Sequence, residues 1–182
     1  ENSPFSARAL IVAGELMVAM GRYDEAIEYY NRAIALSPNR QWFLFNQASV
    51  YLSKNNTAKA FEISQSAFAL EESFDEARIR YAYLAFITDR SQLASELLLS
   101  KFGTLAVNDN TLLNYYVQAK RFDLVAEIWQ DRTVNEPLNL QNWFSYAGSL
   151  LAQNKTRQAI EVMQKALKNF PDNQTEIKQA IE

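Results

Sequence analysis

Apolar residues recur along the chain at the 3.6-residue spacing of helices, in short blocks separated by polar or glycine-bearing breaks such as "MGRYD", "SKNNT", "QAKRF" and "AQNKT". The blocks come in pairs, and the pairs repeat. The segment "GRYDEAIEYYNRAIALSPNR" (21–40) returns in outline as "NKTRQAIEVMQKALKNFPDN" (154–173). Ala26, Ala60 and Ala94 lie 34 residues apart, as do Val125 and Ala159, while Ala94 to Val125 is 31. Prolines keep the same interval, with Pro137 and Pro171 34 apart and Pro38 99 before Pro137. Two residue classes agreeing on one register predict five helix-turn-helix repeats at about 7–40, 41–74, 75–105, 106–139 and 140–173, all within one domain, 1–182. The tail 174–182 is expected to begin a capping helix.

Small residues mark where two helices cross closely. Gly14, Ala48, Ala82 and Ala147 on first helices are expected to face Ala26, Ala60, Ala94 and Ala159 on second helices. Leu10, Met17, Tyr30, Leu44, Tyr51, Tyr81, Trp129, Trp143 and Met163 are expected to interlock around them. The pattern breaks in the middle. Lys101 and Arg132 stand in the column of Ala33, Ala67 and Ala166, and Leu113 and Val125 replace small crossing residues. The stretch "SKFGTLAVNDN" predicts an early helix end at Gly103 and a restart capped by Asn108 or Asp109, with a wider or bent junction between the third and fourth repeats.

The chain resembles the tetratricopeptide-repeat family over nearly its whole length. The fifth repeat carries the resemblance through Trp143, Tyr146, Ala147, Leu150, Ala159, Met163, Ala166 and Pro171; the first does so through Gly14, Gly21, Tyr23, Ala26, Tyr30, Ala33 and Pro38. The resemblance implies an all-α fold, a right-handed α-solenoid of stacked helical hairpins whose first helices line an inner, concave surface. It places on that surface Arg8, Ile11, Glu15 and Val18, then Trp42, Phe45, Ser49 and Leu52, then Glu76, Ile79, Tyr83 and Phe86, with Asn110, Asn114 and Val117, then Gln141, Phe144, Gly148 and Leu151 beyond. Some members grip a peptide's terminal carboxylate with Lys, Asn and Arg. Asn46 and Arg80 stand at two of those places, but Ile11, Glu15 and Glu76 occupy others, and two acids repel a carboxylate. A finer resemblance, in "ALSPNRQ", "FGT" and "NYYVQAKRFDLVAEIWQDR", is to the repeat-bearing tails of bacterial O-antigen ligase or polymerase-like membrane proteins. It implies a soluble domain of a glycan-assembly protein.

Composition removes several functions. The 182 residues contain no cysteine and no histidine, which excludes thiol nucleophiles, disulfides, sulfur- or imidazole-bound zinc and the commonest general base. Four scattered glycines build no phosphate loop. A net charge of −3, with 18 Lys and Arg spread along the chain, disfavours nucleic-acid binding. No apolar run is long enough to span a membrane, so no membrane contact is expected within these residues. The chain opens on Glu1 without an initiator methionine, which suggests a piece of something longer and leaves the compartment open. The acids of "EESFDEAR" read as partners of a helix N-terminus, and "NDN" at 108–110 as a cap in place of a calcium loop. No catalytic residue, metal or cofactor is expected.

What remains is binding. The run "RQWFLFNQ" sets four large apolar residues side by side, and a helix cannot bury them all on one side. Leu44 and Phe43 are assigned to packing, and Trp42 and Phe45, three apart, to the inner face. The sequence thus predicts a non-catalytic scaffold that holds a peptide or helix of a partner protein. Trp42, Phe45, Tyr83, Phe86 and Phe144 are its anchors and Asn46, Arg80 and Asn114 its polar guides. Self-association through the same aromatic face is the further possibility.

Overall fold

The computed structural model describes residues 6–180. Among these the chain forms eleven α-helices, one short 3-10 turn and no strand. Ten of the helices pair as hairpins: α1 (Ala7–Ala19) with α2 (Tyr23–Leu36), α3 (Gln41–Ser53) with α4 (Thr57–Leu70), α5 (Asp75–Ile87) with α6 (Ser91–Phe102), α7 (Asn110–Gln118) with α8 (Phe122–Asn135), and α9 (Leu140–Leu151) with α10 (Thr156–Asn169). A 3-10 turn (Pro171–Asn173) leads into α11 (Gln174–Gln179). The chain divides into two compact units, Glu1–Lys101 and Phe102–Glu182.

Each hairpin turns on one residue at positive φ: Gly21 at 71°, Asn55 at 57°, Asp89 at 60°, Lys120 at 55° and Asn154 at 60°. Their intervals are 34, 34, 31 and 34 residues, the same clock as the alanines. The residue after each donates its N–H to a carbonyl five back: Arg22 to Met17, Asn56 to Tyr51, Arg90 to Ala85, Arg121 to Tyr116 and Lys155 to Leu150, at 2.8–3.0 Å. This closes the first helix with its carbonyls satisfied and sends the chain back along it. Glycine takes the left-handed conformation freely and Asn or Asp at modest cost, whereas Lys120 carries the full steric penalty of a Cβ.

In the first unit, the crossing residues Gly14, Ala48 and Ala82 and their counterparts Ala26, Ala60 and Ala94 are all buried. At Gly14 the close neighbour is an aromatic ring: a Cβ there would lie 2.3 Å from Cε1 of Tyr30. Leu10, Ile11, Tyr30 and Phe43 close the core of the first hairpin. Successive hairpins are joined by polar bonds as well as packing. Buried Gln47 of α3 donates to Asn31 Oδ1 of α2 (2.6 Å), while within the second hairpin Gln41 reaches from α3 to the Ala67 carbonyl of α4 at 2.8 Å. Tyr81 of α5 lies between the rings of Phe61 and Phe68 of α4, with centroids at 5.2 and 5.6 Å.

The second unit has its own core, in which Ala126, Ala147, Leu150, Ala159, Val162, Met163 and Ala166 are covered by Ile177 of α11. Gln153 ties α9 back to the Phe122 carbonyl at 2.8 Å, and the Trp143 indole N–H donates to the Pro137 carbonyl at 3.0 Å. Where the repeat pattern is broken, α6 ends at Phe102 and Gly103 stands at φ 69°. Asp109 then caps α7 by accepting from Thr111 and Leu112 N–H at 2.8 and 3.0 Å. The intervening loop is fixed by the Tyr116 hydroxyl, which donates to the Leu105 carbonyl at 2.8 Å.

Of the four acids of "EESFDEAR", two belong to the first turn of α5, while Glu71 is the C-cap residue of α4. Asp75 pairs with Lys101 at 3.2 Å and Glu76 with Arg80 at 2.6 Å, both acids in the first turn of α5. Among the described residues no group of three or more His, Cys, Asp and Glu could hold a metal ion, and no helix is long and apolar enough to cross a membrane.

Two substitutions test this construction. Alanine is the better helix former by about 1 kcal/mol, but overpacking a buried ring costs about 1–3 kcal/mol. Gly14→Ala is therefore expected to lower stability in denaturant unfolding by up to about 2 kcal/mol, whereas a gain would mean that Tyr30 moves aside. Lys120→Gly relieves about 1–2 kcal/mol of left-handed strain against the flexibility of glycine, for a net gain of about 0.5–1 kcal/mol by the same measurement.

Candidate partner-binding face

Within the first unit, α1, α3 and α5 meet along one side. Asn46 of α3 donates to Glu15 of α1 at 3.3 Å, and the Arg80 guanidinium of α5 lies 5.1 Å from the centre of the Phe45 ring of α3. Between α1 and α3 opens a pocket of about 220 Å³ lined by Glu15, Val18, Tyr30, Asn46, Ser49, Val50 and Ser53. Its walls mix a carboxylate, an amide and hydroxyls with apolar surface, and its floor is the core tyrosine. Burial, reinforced by the nearby Glu15 charge, pushes the Tyr30 hydroxyl up to about 12.

The anchors separate by helix position. Trp42 is 52% exposed on α3, with its ring 6.0 Å from that of Phe43. Phe45 is 3% exposed, which corrects its assignment as a surface anchor. It packs with Ala67 and Ala77 between successive hairpins, under the Arg80 cation. Ile11, placed on the same inner stripe, is likewise fully buried in the first hairpin's core. Tyr83 and Phe86 are half-buried on α5. The guides Asn46 and Arg80 both hold acids of this face, Glu15 and Glu76, and Arg80 contacts Glu76 through Nε at 2.9 Å and Nη2 at 2.6 Å. Asn114, exposed on α7, and Phe144, half-buried on α9, belong to the second unit. There Phe144 packs against the local core.

A feature the sequence reading did not isolate lies at the start of α1. Ser6, Ala7, Arg8, Ser37, Arg40, Trp42 and Phe43 line a cavity of about 520 Å³. The available signal was that neither Arg8 nor Arg40 has an acidic residue three or four positions away, unlike Arg22 with Glu25 or Arg80 with Glu76.

Comparison with known proteins places this geometry. The tetratricopeptide-repeat profiles match residues 7–40 and 141–173, the first and last hairpins. Solved structures share the fold: MamA, 18% identical, covers 92% of this chain and 93% of its own with a TM-score of 0.62. YrrB, described as a tetratricopeptide-repeat protein with an unusual peptide-binding site, is 15% identical over 96% of this chain and 91% of its own, TM-score 0.55. The first and last hairpins carry the tetratricopeptide repeat, and the chain shares its fold. The first tetratricopeptide-repeat domain of Spaghetti (RPAP3), solved with an HSP90 peptide, is 24% identical over 64% of this chain and 91% of its own, TM-score 0.53. By sequence, a repeat- and J-domain-containing co-chaperone, DNJ1 of Fusarium oxysporum f. sp. lycopersici, is 32% identical over 75 residues, 41% of this chain. That match spans only 14% of the co-chaperone.

The pocket face and the core share Tyr30, which makes the face sensitive to alkali. Its raised value means that the folded state holds a proton which the unfolded chain releases near pH 10. The associated stability is fully present below pH 10 and is lost as pH rises from there towards 12. Tyr116, raised in the same direction mainly by burial, adds to the loss. Unfolding midpoints between pH 8 and 11.5 are expected to fall above pH 10, and the fall is expected to be smaller in Tyr30→Phe. An identical fall in that variant would remove Tyr30 from the account.

Proposed function

We propose that this protein is a non-catalytic interaction scaffold, and that the α1–α3–α5 face of its first unit holds a peptide or helix of a protein partner. The observation that carries the reading is Trp42, a large aromatic half in solvent, on the helix that also walls the open α1–α3 pocket. A tryptophan in this setting offers rigid contact area at low entropic cost and is over-represented among residues that dominate binding. Tyr83 and Phe86 extend the apolar contact along α5, and Asn46 and Arg80 supply donors beside it. Phe45 acts from below, fixing the Arg80 plane without touching the ligand. In the second unit, Asn114 and Phe144 occupy first helices, α7 and α9, and offer a similar mixed surface of their own.

Glu15 and Glu76 shape the ligand. A terminal carboxylate laid on Asn46 and Arg80 would meet both acids, so a mixed apolar segment suits this face better. That the structures of YrrB and of the Spaghetti domain are described with a peptide-binding site or a bound peptide agrees with a peptide ligand. Peptide selection against the full chain, followed by titration of the tightest binder, tests the reading. Trp42→Ala, at an exposed position, is expected to change folding stability by less than about 1 kcal/mol. It should weaken binding by at least about tenfold, as loss of a hot-spot aromatic does. Undiminished affinity in a Trp42→Ala/Tyr83→Ala variant would refute the proposal.

A further inference from the structure

The cavity at the start of α1 differs from the α1–α3 pocket in its charge. Its lining, among the described residues, includes two guanidinium groups and no carboxylate. Among the described residues neither Arg8 nor Arg40 forms an ion pair, although seven other pairs engage Arg22, Lys54, Lys59, Arg80, Lys101, Arg121 and Arg157. The α1 N-terminus adds to the same positive field. Ser6 takes the Ala9 N–H at 3.2 Å and its carbonyl takes that of Leu10, which leaves the amides of Ala7 and Arg8, both lining residues, outside the helical ladder. The remaining wall is the exposed face of Trp42, backed by Phe43. Two cations against an aromatic wall suit an anion carried on an apolar stem, since a guanidinium binds a carboxylate through paired N–H donors while the ring packs the stem.

We propose that this cavity is a subsite for an acidic side chain, Asp or Glu, of the peptide that docks on the first helices. The proposal rests on the preceding reading, because Trp42 borders the cavity and belongs to the docking face. It divides the ligand into an apolar stretch along α3 and α5, where Glu15 and Glu76 disfavour negative charge, and one acidic residue at the α1 end. The partner would thus be read for the spacing between the two, and its direction along the face would be fixed.

The experiment uses the full chain and fluorescein-labelled nonamer peptides, blocked at both ends, with apolar flanks around one Glu, each paired with a twin carrying Gln. Fluorescence anisotropy is expected to show the best Glu peptide binding at least about tenfold more tightly than its twin, with the gap shrinking as NaCl is raised. In Arg8→Gln/Arg40→Gln the preference should vanish while the Gln twin keeps its affinity. Both arginines are exposed, and the unchanged binding of the twin reports that the variant is folded. Equal binding of the twins to the wild-type chain, or a Glu preference that survives in the variant, overturns the subsite and leaves the docking face standing. A Gln peptide with a free C-terminal carboxylate that matches the blocked Glu peptide, or inorganic phosphate that displaces it at equal concentration, overturns the assignment to an acidic side chain. Failure of both twins to bind sinks the docking face together with the subsite.

Discussion

In every hairpin the backbone passes through a left-handed residue before reversing, and the rest of the construction follows from that reversal. It brings the second helix back along the first at a distance only small side chains allow, so Gly14 lies against a buried tyrosine ring and alanines fill the other crossings. Close crossing forces the larger side chains outward to the flanks of each hairpin, where they meet the next one: Phe43 over Ala26 and Tyr30, and Tyr81 between Phe61 and Phe68. A hairpin has too little apolar surface to stand alone, and stacking supplies the remainder. The α1–α3–α5 side is then left with few packing duties, which is why an exposed tryptophan and an open pocket occur there.

Periodicity made the fold legible. Alanines and prolines placed the repeats because one residue type recurred in each column, and the restart at Asp109 was readable from its capping chemistry. The turn column is equally regular in space but was not legible, since the same left-handed conformation is filled by Gly21, Asn55, Asp89, Lys120 and Asn154. Physical chemistry unites those residues only partly, and Lys120 not at all. The division of the chain at Lys101 and Phe102 falls where the small-residue columns are interrupted by Lys101 and Leu113.

The binding face was legible only in outline. Trp42 and Phe45 are three apart and share a helix face in projection, yet one is half in solvent and the other buried. What separates them is which helices lie alongside: α4 and α5 cover Phe45 with Ala67 and Ala77, while the Trp42 ring lies by Phe43 and borders the cavity at the start of α1. No single-helix pattern contains that information. The same applies to Arg8 and Arg40, 32 residues apart in sequence, which the stacking of the first two hairpins brings to one cavity.

The central claim is that ligands approach the first helices of the first unit. Its most direct test is a heteronuclear NMR titration of the full chain with a selected peptide, following backbone amides together with the Trp42 indole and Asn46 side-chain amide. The account predicts that shifts concentrate on α1, α3 and α5, with the Trp42 indole among the largest. Shifts confined to the second helices α2 and α4, with the Trp42 indole unmoved, would contradict it.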